Sequence, residues 1–440
     1  MIALPRVCNN YLSFKTITFM LNLDFHPSGR HFLQIPGPSP VPERILRAMS
    51  LPTIDHRGPE FGRLGLKVLK DIQQIFQTTQ PVMIYPASGT GAWEAALVNV
   101  LSPGDEVLMY ETGHFAALWH KMATRLGIKT QVITMGGESD GIPNAWRHGV
   151  QIDLIAEQLK KDSSHSVKAV CVVHNETSTG VTSNVQAVRA LLDELKHPAL
   201  LMVDTISGLA CAPYKHDEWG IDVSISGSQK GLMLPPGISF NALSQKAINV
   251  SKNAKLPKSF WAWDEIIELN KTGYWPYTPN THLLYALSEA CDMILDPHHG
   301  GLDAVFARHK RFAAGVRAAV NAWGLPIQCA DENVYSPVLT GVILPSSVDA
   351  DAVRKVIYER FDCSLGTGLG KLKGRMFRIG HLGDTNDLTL MGTLAGCEMG
   401  LKLAGIKVQG GVQAAMDFFS SNPVPIPIPI PIPIPKPNPI

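Results

Sequence analysis

The sequence predicts an α/β fold built on a mainly parallel sheet, and three observations lead there. From about residue 60 onward, short β-rich runs alternate with helical patterns. The runs are nearly continuous in apolar residues, as in strands buried on both faces, whereas a half-exposed strand would alternate. Polar residues suited to chemistry (Ser88, Thr177 and Asp204) fall at or just beyond the carboxyl ends of these runs, where open parallel sheets gather their ligands. In chain order the expected strands are 82–85, 106–110, 130–133, 169–173 and 200–203. A small-residue turn at 86–92 leads into a helix expected over 93–101, and a second clear helix is expected over 283–295.

At 440 residues the chain exceeds the size at which one core stops growing, so two folded domains are expected. Residues 1–30 read as an extension, 31–296 as a large domain with its N-terminal segment, 297–420 as a smaller α+β domain and 421–440 as a tail. The hinge is placed at Asp296-Pro297-His298-His299-Gly300-Gly301. His298 and His299 read there as solvated turn residues, with no carboxylate or cysteine at ligand spacing, and no metal is expected. The tail alternates proline with isoleucine from Pro423, which excludes helix and central strand and leaves polyproline II or disorder.

The most informative chemistry lies in Ser226-Gly227-Ser228-Gln229-Lys230-Gly231, which follows Asp204 at the end of an apolar run. A lysine in a Ser/Gly turn is by itself an ordinary loop residue, and a strand-end Asp an ordinary cap. Together they are what pyridoxal 5′-phosphate (PLP) needs: an amine for a Schiff base and a carboxylate for the protonated pyridine nitrogen. A third element, Ser88-Gly89-Thr90-Gly91-Ala92, opens a helix, where free N–H groups and the helix dipole favour a phosphate. It has no third glycine for a dinucleotide fingerprint, and Gly370-Lys371 is followed by Leu372, so no Walker loop is present. Arg378 sits in an apolar run, Met376-Phe377-Arg378-Ile379, where an unpaired charge is costly. Its guanidinium suits a two-point grip on a carboxylate.

Ile35-Pro36-Gly37-Pro38, Ser88 to Gly91, His174-Asn175-Glu176-Thr177-Ser178-Thr179-Gly180, Val203-Asp204, Ser228-Gln229-Lys230 and Phe377-Arg378-Ile379-Gly380 occur in that order. Across about residues 31–415 this set resembles the class V, fold-type I PLP aminotransferases, within them the serine–glyoxylate and alanine–glyoxylate aminotransferases. The resemblance implies a seven-stranded, mainly parallel sheet in the large domain and a homodimer with shared active sites. It implies Lys230 as the cofactor-bound lysine and proton carrier, with Asp204 on the ring nitrogen and Thr177 near the phenolic oxygen. Thr90, Gly91, Ala92 and Gln229 would hold the phosphate, and Phe115 would cover the cofactor face. Arg378 would bind the substrate α-carboxylate, beside Gly37. Tyr274 and Thr278 would reach the phosphate of the neighbouring subunit, and Arg57 would read a second acidic group. The activity implied is transfer of an amino group to glyoxylate, with L-serine as donor. Aspartate–glyoxylate and alanine–glyoxylate enzymes stand as alternatives, and a PLP lyase or desulfurase, using Cys363, as a more distant one.

The composition agrees with small amino-acid and 2-oxo-acid substrates. Net charge is +1, with 18% charged and 45% hydrophobic residues and no basic run, which argues against a nucleic-acid partner. The apolar stretch near 17–23 is too short for a membrane helix. Seven scattered cysteines without a CxxC pair suit a reducing compartment, and the expected location is the cytoplasm.

Overall fold

The computed structural model describes residues 29–424, and from Phe32 onward they form one compact unit. The N-terminal apolar stretch near 17–23 and the Pro/Ile tail from 425 lie outside the described residues.

The central element is a seven-stranded sheet. Its order across the sheet is Val82–Tyr85, Ser239–Leu243, Val223–Gly227, Leu200–Asp204, Val167–Val173, Glu106–Tyr110 and Lys129–Ile133. Only Ser239–Leu243 runs antiparallel to its neighbours. The remaining pairings are parallel. Leu200–Asp204 and Val223–Gly227 are buried along their whole length, which explains why the first reads as an unbroken apolar run. Helices on the sheet, among them Gly89–Val100 and His114–Arg125, complete one large apolar core.

A second sheet, of four strands, has the order Phe32–Gln34, Cys363–Thr367, Met376–Gly380, Leu339–Ile343. Helices Gly301–Ala322, Ala350–Phe361, Asp387–Leu403 and Gly411–Ser421 contribute to a separate core with this sheet, around Phe312, Val316, Trp323, Phe377 and Leu394. Phe32–Gln34 pairs in parallel with Cys363–Leu365. The N-terminal segment, expected with the large domain, therefore begins in the second sheet and enters the first lobe only beyond Gln34.

Three local expectations are corrected. The helix expected from Trp93 begins at Gly89, so Thr90, Gly91 and Ala92 form its first turn. The last helix runs to Ser421, past the expected end of the small domain and into the segment assigned to the tail. In the hinge turn, the Asp296 carboxylate accepts from the His298 backbone N–H and lies 2.7 Å from His299 Nδ1. A carboxylate is thus present where none was counted. Among the described residues, no group of three or more His, Cys, Asp or Glu is arranged to hold a metal ion.

Candidate active site

Segments at the carboxyl ends of four strands of the seven-stranded sheet meet in one cavity. Its walls include Ser88, Gly89 and Thr90 from the turn after Val82–Tyr85, Thr177, Asp204, and Gln229 and Lys230 after Val223–Gly227. Phe115, on the first turn of His114–Arg125, forms a further part of the wall.

Asp204 is the last residue of its strand and is 3% exposed. Its Oδ1 accepts from Ile206 N at 2.7 Å and its Oδ2 from Trp93 Nε1 at 2.9 Å. Burial is the main influence on this carboxyl and pushes its pKa up to about 7; the Ile206 N–H opposes the rise and the nearby Glu176 adds to it. A carboxyl this poorly solvated gains from a cationic N–H partner.

Lys230 is 8% exposed, and its amine donates to the Pro36 carbonyl. Burial, and then the positive charge of Arg378, lower its pKa to about 8, against the pull of Asp204. The lowered pKa leaves a larger neutral, nucleophilic fraction near neutral pH than an ordinary lysine has. The segment at Gly37 lies directly on this side chain: a Cβ there would come within 2.5 Å of Lys230 Nζ. Only glycine fits.

Arg378 lies inside the strand Met376–Gly380 and is 6% exposed. Nε donates to the Thr367 carbonyl at 2.8 Å and a terminal N–H to the Thr177 carbonyl at 2.6 Å. These bonds take two of the five N–H donors of the guanidinium. Desolvation lowers its pKa to about 10, a shift that Glu176 counteracts.

The structure therefore brings together Thr90, Phe115, Thr177, Asp204, Gln229 and Lys230 on the cavity, with Gly37 against Lys230 and Arg378 bonded to Thr177. Gly91 and Ala92 continue the same first helical turn as Thr90. Arg57, Tyr274 and Thr278 are not on this cavity. Arg57 and Thr278 are exposed, and Tyr274 donates its hydroxyl to the Gly58 carbonyl at 3.2 Å. Cys363 opens a strand of the second sheet, and burial holds its thiol up at about 12.

Four residues of the site went unassigned in the sequence. Trp93 orients Asp204, and Ser207 accepts from Thr177 Oγ1 at 2.7 Å and from Asn175 Nδ2 at 2.8 Å. Glu176 is fully buried beneath Phe115. Asn175 and Glu176 stand within a motif already singled out and Trp93 directly follows another, whereas nothing in the local pattern marks Ser207.

PLP fits these groups. The Gln229 side-chain amide lies between Gly227 and the start of Gly89–Val100 with its Oε1 unpartnered in the protein; an amide oxygen only accepts, so this group would meet a phosphate through Nε2–H, with the amide turned end for end. Ser88, the N-cap of that helix, makes no side-chain capping bond, so the helix start is open to an anion. Asp204 supplies the buried acid and Lys230 the amine.

The family model for class V aminotransferases matches residues 32–323. A serine–glyoxylate aminotransferase of Hyphomicrobium methylovorum is 44% identical over 395 residues, 89% of this chain and 95% of that protein. An L-aspartate–glyoxylate aminotransferase of Paracoccus denitrificans is 40% identical over 88% of this chain and 95% of its own length. Among solved structures, ureidoglycine–glyoxylate aminotransferase from Bacillus subtilis superposes with a TM-score of 0.80 at 26% identity, covering 90% of this chain and 99% of that one. With its fold, its buried lysine–aspartate pair and these similarities, the chain belongs to the class V aminotransferases, enzymes that use pyridoxal phosphate.

Proposed function

We propose that this enzyme transfers the amino group of L-serine to glyoxylate, giving hydroxypyruvate and glycine in two half-reactions. The observation that carries the reading is the meeting of Lys230 and Asp204 on one cavity, with Arg378 bonded to its wall. When bound, PLP supplies the electron sink that makes the amino acid Cα–H bond acidic.

The chain's residues supply the rest. Lys230 Nζ anchors the cofactor and then takes and returns the Cα proton, for which its lowered pKa suits it. Asp204, with Oδ1 and Oδ2 each fixed by an N–H donor, would pair with the ring nitrogen. Thr90, Gly91, Ala92 and Gln229 hold the phosphate, Phe115 covers the ring and Thr177 meets its oxygen substituent. Arg378 would grip the substrate carboxylate and so orient its Cα toward Lys230 Nζ.

Serine is supported over aspartate by the higher identity to the serine–glyoxylate enzyme of Hyphomicrobium methylovorum, 44% against 40% for the aspartate–glyoxylate enzyme, and by the exposure of Arg57, the candidate for a second carboxylate. The buried, weakly acidic Cys363 speaks against a desulfurase. We read the molecule as a homodimer with Tyr274 and Thr278 serving the neighbour's phosphate, and its two cores as a large and a small lobe meeting near residue 296. The place of these residues supports the first point: neither lines the cavity of its own chain, and Thr278 is exposed. The comparison of kcat/KM for L-serine, L-aspartate and L-alanine with glyoxylate tests the donor. Serine should lead by tenfold or more, about 1.4 kcal/mol; a lead for aspartate would replace the donor and bring Arg57 into the site.

A further inference from the structure

Glu176 is a fully buried carboxylate, and the assigned roles leave it unexplained. It has four donors. Oε1 accepts from Ser178 Oγ at 2.6 Å, Ser178 N at 3.0 Å and Phe115 N at 3.4 Å, and Oε2 accepts from Ala116 N at 3.1 Å. Ser178 Oγ also accepts from His114 N at 2.8 Å, so its own proton points to Glu176. Four donors favour the ionised acid, against burial, which acts to raise its pKa.

The contacts join two parts of the site. Helix His114–Arg125 starts from Gly113, which has no side chain to cap it, and a Cβ there would lie 2.5 Å from both Glu176 Cγ and Ser178 Oγ. The pair from the neighbouring loop caps the helix instead, and the first turn it holds carries Phe115. On the other side, Glu176 directly precedes Thr177, whose carbonyl takes an Arg378 N–H. Its negative charge stabilises the Arg378 cation.

We propose that Glu176 is a positioning residue of the transamination site. It locks Phe115 and Thr177 into one unit and supplies a fixed negative charge beside Arg378. Arg378 is thereby kept charged in a buried strand before any substrate arrives, at the cost of part of its attraction for carboxylates. The inference rests on Arg378 being the carboxylate site.

The test uses the holoenzyme and glycolate, a carboxylate of glyoxylate's size that cannot accept an amino group, with binding measured by calorimetry. Glu176→Gln should lower kcat about tenfold or more yet bind glycolate about three- to tenfold more tightly, because a charge competing for Arg378 is gone. Ser178→Ala, which keeps that charge and loosens the cap, should lower kcat without tightening glycolate. A helix cap alone would give both variants weaker glycolate binding in step with their lost stability, and that result overturns the proposal. If Glu176→Gln does not fold, an unchanged kcat in Ser178→Ala overturns it. Arg378→Lys separates the two readings: unchanged glycolate affinity there would remove the carboxylate site and this inference together. Weakened affinity there with a wild-type Glu176→Gln would remove this inference alone.

Discussion

Lys230 and Arg378 are both buried cations, and their mutual repulsion has a measurable consequence. The amine is protonated below about 8 and reacts with an aldehyde only when neutral. Incorporation of PLP into the cofactor-free protein should therefore speed up as pH rises through about 8 and level off above it. Arg378→Gln removes a charge that lowers the Lys230 pKa, so the midpoint should move up in that variant; stopped-flow absorbance reads both. At this scale much of the site was legible. Lys230 and Asp204 declare themselves only as a pair: each is ordinary alone, and together they offer the amine and the acid that PLP needs. Trp93 and Glu176 did not, because an indole or a carboxylate within or beside a motif carries no sign of which buried atom it will reach.

Elements were legible where both faces are covered. Residues 200–203 and 169–173 read as unbroken apolar runs, whereas Ser239–Leu243 and Val223–Gly227 carry buried polar residues that hide them. Asn241 lies inside the sheet because its amide donates to the Ala92 carbonyl and its oxygen accepts from Tyr85. Ser224 is satisfied by Tyr214 and His216. Phe32–Gln34 could not be found locally, since its partner strand begins at Cys363. In the second core, Glu398 ties three elements. It accepts from Trp323 Nε1 at 2.9 Å, from Val412 N at 3.1 Å near the start of Gly411–Ser421, and from Lys402 at 2.7 Å. Burial opposes ionisation there, but these donors outweigh it and bring the pKa down to about 2. A depressed carboxylate stabilises the fold above its unfolded pKa and loses that contribution as pH falls toward the folded value. Glu398→Gln should cost about 2 kcal/mol at pH 7. The gap to wild type in chemical denaturation should shrink between about pH 4.5 and pH 2.

For the whole molecule, the site geometry leaves Tyr274 and Thr278 away from their own chain's cavity, which the dimer reading explains. Light scattering should then give twice the 47.8 kDa chain mass. Lys230→Ala and Tyr274→Ala, each nearly inactive alone, should recover activity when mixed and allowed to exchange subunits. One site of each mixed dimer combines the intact Lys230 of one chain with the intact Tyr274 of the other. Activity no greater than the sum of the two parents would show that each chain completes its own site.

The central claim is that Lys230 carries amino transfer from L-serine to glyoxylate, and turnover of wild type and Lys230→Ala with these two substrates and added PLP tests it most directly. The account predicts equal amounts of glycine and hydroxypyruvate from the wild type and no steady-state turnover from the folded variant. Sustained glycine formation by Lys230→Ala, or none by the cofactor-loaded wild type, would contradict it.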